Sequence, residues 1–466
     1  MKLKKILVGS LALLAAMGVN AATPRYIFYF IGDGMGMGQV MASQTYNRDV
    51  LGNKTPLLMM TFPYAGMIET YSASGTVTDS AAAGTALATG HKTRNGMLGM
   101  DADSIPVKSM SSVLHDNGWG VALVTTVSPD DATPAAHYAH VPNRGMKYEI
   151  DRHAAESGFE FIAGSQWGAI KDREGKPNEV AEYMKEKGVE FVTNIPDARD
   201  SKSRRVFLYS ENPFNGNDVG YTIDSIPGML TLPDMTSAAI NHMLKVSPGK
   251  FFMMVEGGNI DHLAHGNDGG GVAVEVHNFN KALAHAYNFY LQHPNETLIV
   301  VTADHETGGM AMANRHSGYN TFLQYVPYQR MSKEHFSQEV NHMLEASEMP
   351  SWEQFQEFVK ENTGLWGAVP VKERQEKRLK QLYEDTFKNK KELADSKTLY
   401  ASFGALANEV YVILNENQGF GWTTGGHSGN PVPLYAIGEG LEELARVRDN
   451  TDISHVLMKL TGVAFE

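Results

Sequence analysis

Apolar and polar positions follow two rhythms along this chain. Short apolar runs occur at Tyr26 to Ile31 (YIFYFI), Gly120 to Val127 (GVALVTTV), Phe251 to Val255 (FFMMV) and Thr297 to Thr302 (TLIVVT). Too short for independent helices and rich in β-branched and aromatic residues, they predict buried strands. Between them, Lys108 to Asn117 and Val272 to Gln292 repeat their apolar residues at helical spacing. Strands alternating with helices predict an α/β fold, a largely parallel sheet with helices on both faces.

Polar residues gather where the apolar runs stop: Gly32-Asp33-Gly34, Glu256-Gly257-Gly258 and Ala303-Asp304-His305. Parallel sheets bind ligands beyond the carboxyl ends of their strands. Three strands that deliver carboxylate and imidazole groups to one edge therefore predict a site there.

From about Gly318 to Gly419 the pattern becomes helical. Ser332 to Ser347 and Ser351 to Thr363 are amphipathic, and the charged stretch Val371 to Ala394 carries Leu379, Leu382 and Phe387 at roughly helical spacing. Solvated helices over one apolar stripe account for this, so 318–419 is expected to be a helical insertion. At the other end, the basic MKLKK precedes an apolar stretch, Ile6 to Val19, too short to span a bilayer stably, and then Val19-Asn20-Ala21. This pattern predicts a secretory signal peptide over 1–21, cleaved after Ala21, and a periplasmic or secreted protein made of residues 22–466.

Loss of Lys2, Lys4 and Lys5 with that signal would move the net charge from −13 to −16. So acidic a surface disfavours nucleic acid and anionic membrane as partners. The chain has no Cys, which excludes disulfides and thiolate ligands. Any metal must be held by His, Asp, Glu and hydroxyl oxygen.

The small-residue stretch GTVTDSAAAGTALATG, Gly75 to Gly90, places Asp79-Ser80 at the start of a run of good helix formers. Asp and Ser are favoured helix caps. A serine there also stands at the positive end of the helix dipole, where an anion such as phosphate is welcome, so a nucleophile is the competing reading. Asp261 and His265, four apart in EGGNIDHLAHG, share a helical face and can hold one cation. His427 lies among small residues in TTGGHSGN.

Six motifs in series, with one arginine between the third and the fourth, decide between these readings. Phe30-Ile31-Gly32-Asp33-Gly34-Met35-Gly36 is followed by Thr78-Asp79-Ser80-Ala81-Ala82, by Asp131-Ala132-Thr133-Pro134-Ala135-Ala136 and by Arg144 after Ala139-His140-Val141. Then come Glu256-Gly257-Gly258 with Asp261 and His265, Ala303-Asp304-His305-Glu306 and Gly426-His427. In this order the chain resembles an alkaline phosphatase. The resemblance implies a mixed, mostly parallel central sheet, hydrolysis of small phosphate monoesters through a phosphoserine, a homodimer, and two Zn2+ and one Mg2+ per chain. It assigns Asp261, His265 and His427 to one zinc and Asp33, Asp304 and His305 to the other, with Asp33, Thr133 and Glu256 around magnesium. Ser80 matches the nucleophile and Arg144 the phosphate grip, with Asp79, Asp131 and His262 beside them. Two cations about 3.5–4 Å apart suit in-line phosphoryl transfer, one for the attacking and one for the leaving oxygen. A guanidinium fork fits two phosphate oxygens.

Asp131 stands where animal members carry His, and His262 where the best-known enterobacterial member carries Lys. Rival readings are a phosphodiesterase of the same superfamily and, further off, a non-catalytic metal- or phosphate-binding protein. Thr133 and Glu256 favour a monoesterase over the first, and Ser80 with Arg144 favours an enzyme over the second. A sulfatase is disfavoured because Ala81-Ala82-Ala83 follows Ser80.

Overall fold

The computed structural model describes residues 23–166, 179–210, 219–390, 393–398 and 401–465. The expected signal segment lies outside them. The predicted runs become β1 (Tyr26–Ile31), β3 (Gly120–Thr125), β7 (Phe251–Glu256) and β8 (Thr297–Thr302), every residue of which is buried. With β2 (Tyr64–Ile68), β4 (Phe161–Gly164), β5 (Val189–Val192), β6 (Arg205–Tyr209) and the C-terminal strand Val432–Gly438 they form one nine-stranded sheet. Its order is β2, the C-terminal strand, β8, β1, β7, β3, β4, β6, β5. Only the C-terminal strand runs against its neighbours, β8 and β2. The fold is thus the mixed, mostly parallel α/β arrangement expected.

Register brings the strand ends level. Ile31 pairs with both Glu256 and Thr302, and Glu256 pairs with Thr125. The residues that follow β1 and β8 therefore emerge beside Glu256 along a single edge. Alternation along β1 covers both faces: Phe28 and Phe30 meet Phe289 and Phe279 of the helix Gly269–Gln292 at ring separations of 5.5 and 5.6 Å. On the other face Phe252 lies 6.0 Å from the ring of His137, just past the short helix Ala132–Ala135.

Residues 318–419 carry the helices Lys333–Glu345, Trp352–Thr363, Glu373–Tyr383 and Ala405–Gln418 around an apolar cluster of their own that includes Phe336, Phe355, Leu379, Phe387 and Tyr411. The charged stretch is not one regular helix. A π-helical turn, Glu384–Lys388, replaces α-helix after Tyr383. Leu379, Tyr383 and Phe387 are spaced by four, which drifts about 40° per step in an α-helix. The wider turn offsets that drift, and Phe387 packs on Tyr383 and Phe355 at 5.3 and 5.8 Å. No helix among the described residues is long and apolar enough to cross a membrane.

Candidate active site

Ser80 opens the helix Ser80–Thr89, with Asp79 as N-cap through a 2.9 Å bond from the Ala82 amide. The cap is thus Asp79, and the Ser80 side chain is not needed for that role. Every residue of this helix is buried. Its small side chains admit a close neighbour: a Cβ on Gly84 would stand 3.2 Å from Thr133 Cα and 3.3 Å from Ala136 Cβ. The Ser80 helix and the segment carrying Asp131 and Thr133 are therefore pressed together.

At the sheet edge the structure gathers the carboxylates and imidazoles. Asp33, Asp304 and His305 form one group of ligand atoms within 4.8 Å of one another, and Asp261, His305 and His427 form a second. His265 joins the second group, with Nε2 3.2 Å from Asp261 Oδ2 and 3.1 Å from His427 Nε2. Thr133 Oγ1 lies 3.4 Å from Asp33 Oδ2, and Glu256 accepts a 2.5 Å bond from Thr125 Oγ1. Ser80 Oγ stands 3.1 Å from His305 Nε2. Gly34 makes this convergence possible: it has φ +70°, and a Cβ there would come within 2.8 Å of Asp261 Oδ1.

The donor set fits cations. Among the described residues, Asp33 Oδ1, Glu256 Oε1, Asp261 Oδ2 and Asp304 Oδ2 are buried and receive no hydrogen bond, which is costly for carboxylates unless they are paired or bind metal. The imidazoles are set for the same purpose. His265 Nδ1 donates to Gly425 O at 2.7 Å and His427 Nδ1 to Thr78 O at 2.8 Å. A carbonyl only accepts, so each Nδ1 carries the proton and each Nε2 lone pair faces the cluster.

Electrostatics reflect the crowding. Burial, then Asp304, Asp261 and Glu256, push the Asp33 carboxyl well up, and burial with Asp261 and Glu256 does the same to Asp304. Burial raises Glu256 to about 7 against the Thr125 hydrogen bond. Asp261 moves the other way: burial is outweighed by His265, His427 and His305, which hold it well below the usual range. Burial depresses His305 and His427, whereas at His265 it is overcome by Asp261.

Arg144 comes to the site from a loop. Its Nη2 donates to Asp131 Oδ1 at 2.6 Å, and Nη1 lies 3.7 Å from Asp79 Oδ2. Burial works to raise the Asp131 carboxyl, but Arg144, Lys147 and His262 together hold it low. His262 is half-buried and near enough for Asp131 to feel its charge. All thirteen site residues marked from the sequence thus lie in this one region.

The chain matches the alkaline phosphatase family model over residues 25–171 and 164–463. It belongs to the alkaline phosphatase family. It is 29% identical to alkaline phosphatase 4 of Bacillus subtilis over 453 residues, 95% of this chain and 89% of that one. The structure of Thermus thermophilus alkaline phosphatase superposes with a TM-score of 0.78 at 25% identity, over 95% of this chain and 92% of that one. The cold-active alkaline phosphatase of a psychrophilic Shewanella gives 0.76 at 25%, over 93% and 99%. The alkaline phosphatase family is metal-dependent, and this member is a phosphatase.

Three contributors to this alkaline phosphatase site carry little signal in the sequence. Thr307 Oγ1 donates to Asp261 Oδ1 and lies 3.2 Å from His305 Nδ1. A hydroxyl has one proton. With that proton on Asp261, Thr307 can only accept from His305 Nδ1–H, which leaves His305 Nε2 its lone pair. Glu306 accepts from Gln39 Nε2 at 2.8 Å, from the Met310 and Gly309 amides at 3.1 Å and from Ser428 Oγ. Those bonds tie the helix Met37–Thr45 and the short strand His427–Ser428 to residues 306–310, and the pairing of His427 with Thr307 across a two-residue ribbon brings His427 onto His305, ring centroids 3.5 Å apart. Thr125, inside a strand, looks apolar by context. The adjacency of Glu306-Thr307 to Asp304-His305 was the available clue for the first two.

Proposed function

We propose that this enzyme hydrolyses phosphate monoesters through a covalent phosphoserine at Ser80. The observation that carries the reading is the 3.1 Å approach of Ser80 Oγ to His305 Nε2 at a helix N-terminus, inside the carboxylate–imidazole cluster and near Arg144. In this reading Asp261, His265 and His427 hold one zinc, Asp33, Asp304 and His305 a second, and Asp33, Thr133 and Glu256 a magnesium. The oxygen-only set suits magnesium and the imidazole-bearing sets suit zinc. When bound, the ions supply Lewis-acid charge that favours ionised oxygen on both sides of the phosphorus.

Ser80 Oγ attacks the phosphorus in line, the ester oxygen leaves as alcohol after taking up a proton, and the serine proton passes to solvent. Water then attacks the phosphoserine and returns the Ser80 hydroxyl and inorganic phosphate. The guanidinium of Arg144, aimed by Asp131 and Asp79, grips two phosphate oxygens, and the positive end of the Ser80 helix favours the same anion. Residues 1–21 would act as an export signal, giving a periplasmic or secreted enzyme, and the working unit would be a homodimer. The direct test is turnover of p-nitrophenyl phosphate against bis-p-nitrophenyl phosphate. Faster cleavage of the diester would replace this reading by a phosphodiesterase.

Two further results are expected. Thr307→Val keeps the shape but removes the hydroxyl between Asp261 and His305. Loss of a partner that orients metal ligands costs about tenfold or more in affinity, so zinc titration by calorimetry should show weakened binding; unchanged affinity would leave Thr307 a packing residue. His262→Lys puts a charge beside Asp131 and Arg144 that persists at alkaline pH. It should tighten inhibition by inorganic phosphate by about tenfold, equivalent to about 1.4 kcal/mol, and lower the maximal rate where product release limits turnover. Steady-state kinetics with added phosphate, beside a melting curve, reads both.

A further inference from the structure

The helix Asn259–His265, which carries Asp261, His262 and His265, ends at Gly266, and the next helix starts at Gly269. The polar groups of this corner are met by side chains from residues 318–419. Lys333 Nζ donates to Gly266 O at 2.8 Å and to Asn408 Oδ1 at 2.7 Å. Asn415 Nδ2 donates to Asn267 O at 2.7 Å, while its Oδ1 accepts from the Gly269 amide at 3.3 Å. Asp268 ties the corner back: one carboxylate oxygen accepts from Gln329 Nε2 at 2.7 Å and the other from the Lys333 amide at 2.9 Å.

Lys333 is only 5% exposed, and its ammonium lies 4.4 Å over the ring of Phe403. Taking an ammonium out of water is costly unless hydrogen bonds and a counter-charge repay it. Folding of the helical segment does not require this, because that segment has an apolar cluster of its own. What the buried lysine does accomplish is to occupy the carbonyl at the C-terminus of the helix that carries Asp261 and His265, where a cation also complements the helix dipole.

We propose that the helical segment 318–419 is a positioning device for the metal site, with Lys333 and Asn415 as its positioning residues. They clamp the Gly266–Gly269 corner and so hold Asp261 and His265 in ligating geometry. The inference rests on the zinc assignment above. Without the clamp the helix end frays, the two ligands lose their fixed spacing, and the ion leaves sooner.

The test compares zinc release to a colorimetric chelator from purified parent protein, Lys333→Met, Asn415→Ala and Phe355→Leu, with a melting curve for each. Lys333→Met keeps the apolar stem and removes the donor. Asn415→Ala leaves no buried charge unpaired and carries the same test if the lysine variant does not fold. Both should release zinc about tenfold faster than the parent, and excess zinc should restore their maximal rate. Phe355→Leu, which loosens the segment's own core, should melt earlier yet hold zinc like the parent. Parent-like retention in Lys333→Met and Asn415→Ala, or equally fast release from Phe355→Leu, would overturn the clamp while leaving the zinc assignment standing. A parent that binds no zinc would remove that assignment, and the clamp with it.

Discussion

Ser80→Ala is expected to lower turnover of p-nitrophenyl phosphate by about 10³-fold or more, about 4 kcal/mol of transition-state stabilisation, with metal content unchanged. The oxygen removed is the one poised 3.1 Å from His305 Nε2, and the three residues that follow it, Ala81, Ala82 and Ala83, carry no hydroxyl to stand in for it. The carboxylates and imidazoles of the cluster remain, so elemental analysis of the variant should match the parent. Acid quenching of the parent with substrate should leave one phosphoryl group on the peptide containing Ser80, and none in the variant. A variant of near-parental rate would exclude the covalent route, because a water attacking directly would not need this oxygen.

Exhaustive chelation is expected to abolish activity and to lower the melting temperature, both restored by zinc with magnesium. An ion at a thousand times its dissociation constant stabilises the folded chain by about 4 kcal/mol. Spread over the unfolding entropy of a chain this long, that is about 4 °C per ion. The loss should grow with pH. Above the ordinary histidine value of 6.5, His305 and His427 are neutral folded and unfolded. Asp261 and Asp131, held low, are ionised in both states there, and the other shifted groups of the cluster share one sign: Asp33, Asp304 and His265 all hold protons more tightly in the folded state. A group raised in the folded state loses its stabilising contribution as pH rises towards the raised value. The stripped protein should therefore weaken from pH 7 upward, while the loaded protein, whose ligands are held deprotonated by metal, should not. Equal melting curves for stripped and loaded protein across that range would mean that the cluster holds no structural ion.

Much of this was legible along the chain. Strands β1, β3, β7 and β8 are buried on both faces and so appear as apolar runs with sharp ends, and the residues just past those ends are the polar ones of the cluster. The helical pair Asp261 and His265 was readable from a spacing of four. Strands β4, β5 and β6 were harder: all three are short, and β5 and β6 are partly exposed, as with Val189 and Phe191. The edge strand β2 exposes alternate residues and pairs only with the C-terminal strand. The contacts between site residues on different segments were not legible. His427 reaches His305 through pairing with Thr307, more than a hundred residues away in sequence.

By itself, then, the sequence determined which elements form and which residue types arrive at the strand ends, because periodicity, chain-breaking glycines and capping act over a few residues. Tertiary structure decided what those residues do to one another. Parallel register set Ile31, Glu256, Thr302 and Thr125 level, and close packing at Gly84 brought Ser80's helix to Thr133. A hydroxyl on Thr307 and an ammonium on Lys333 acquired roles that their neighbours in sequence do not announce. Charge, desolvation and orientation depend on distances of a few ångströms between segments far apart in the chain, and only the packed fold sets those distances.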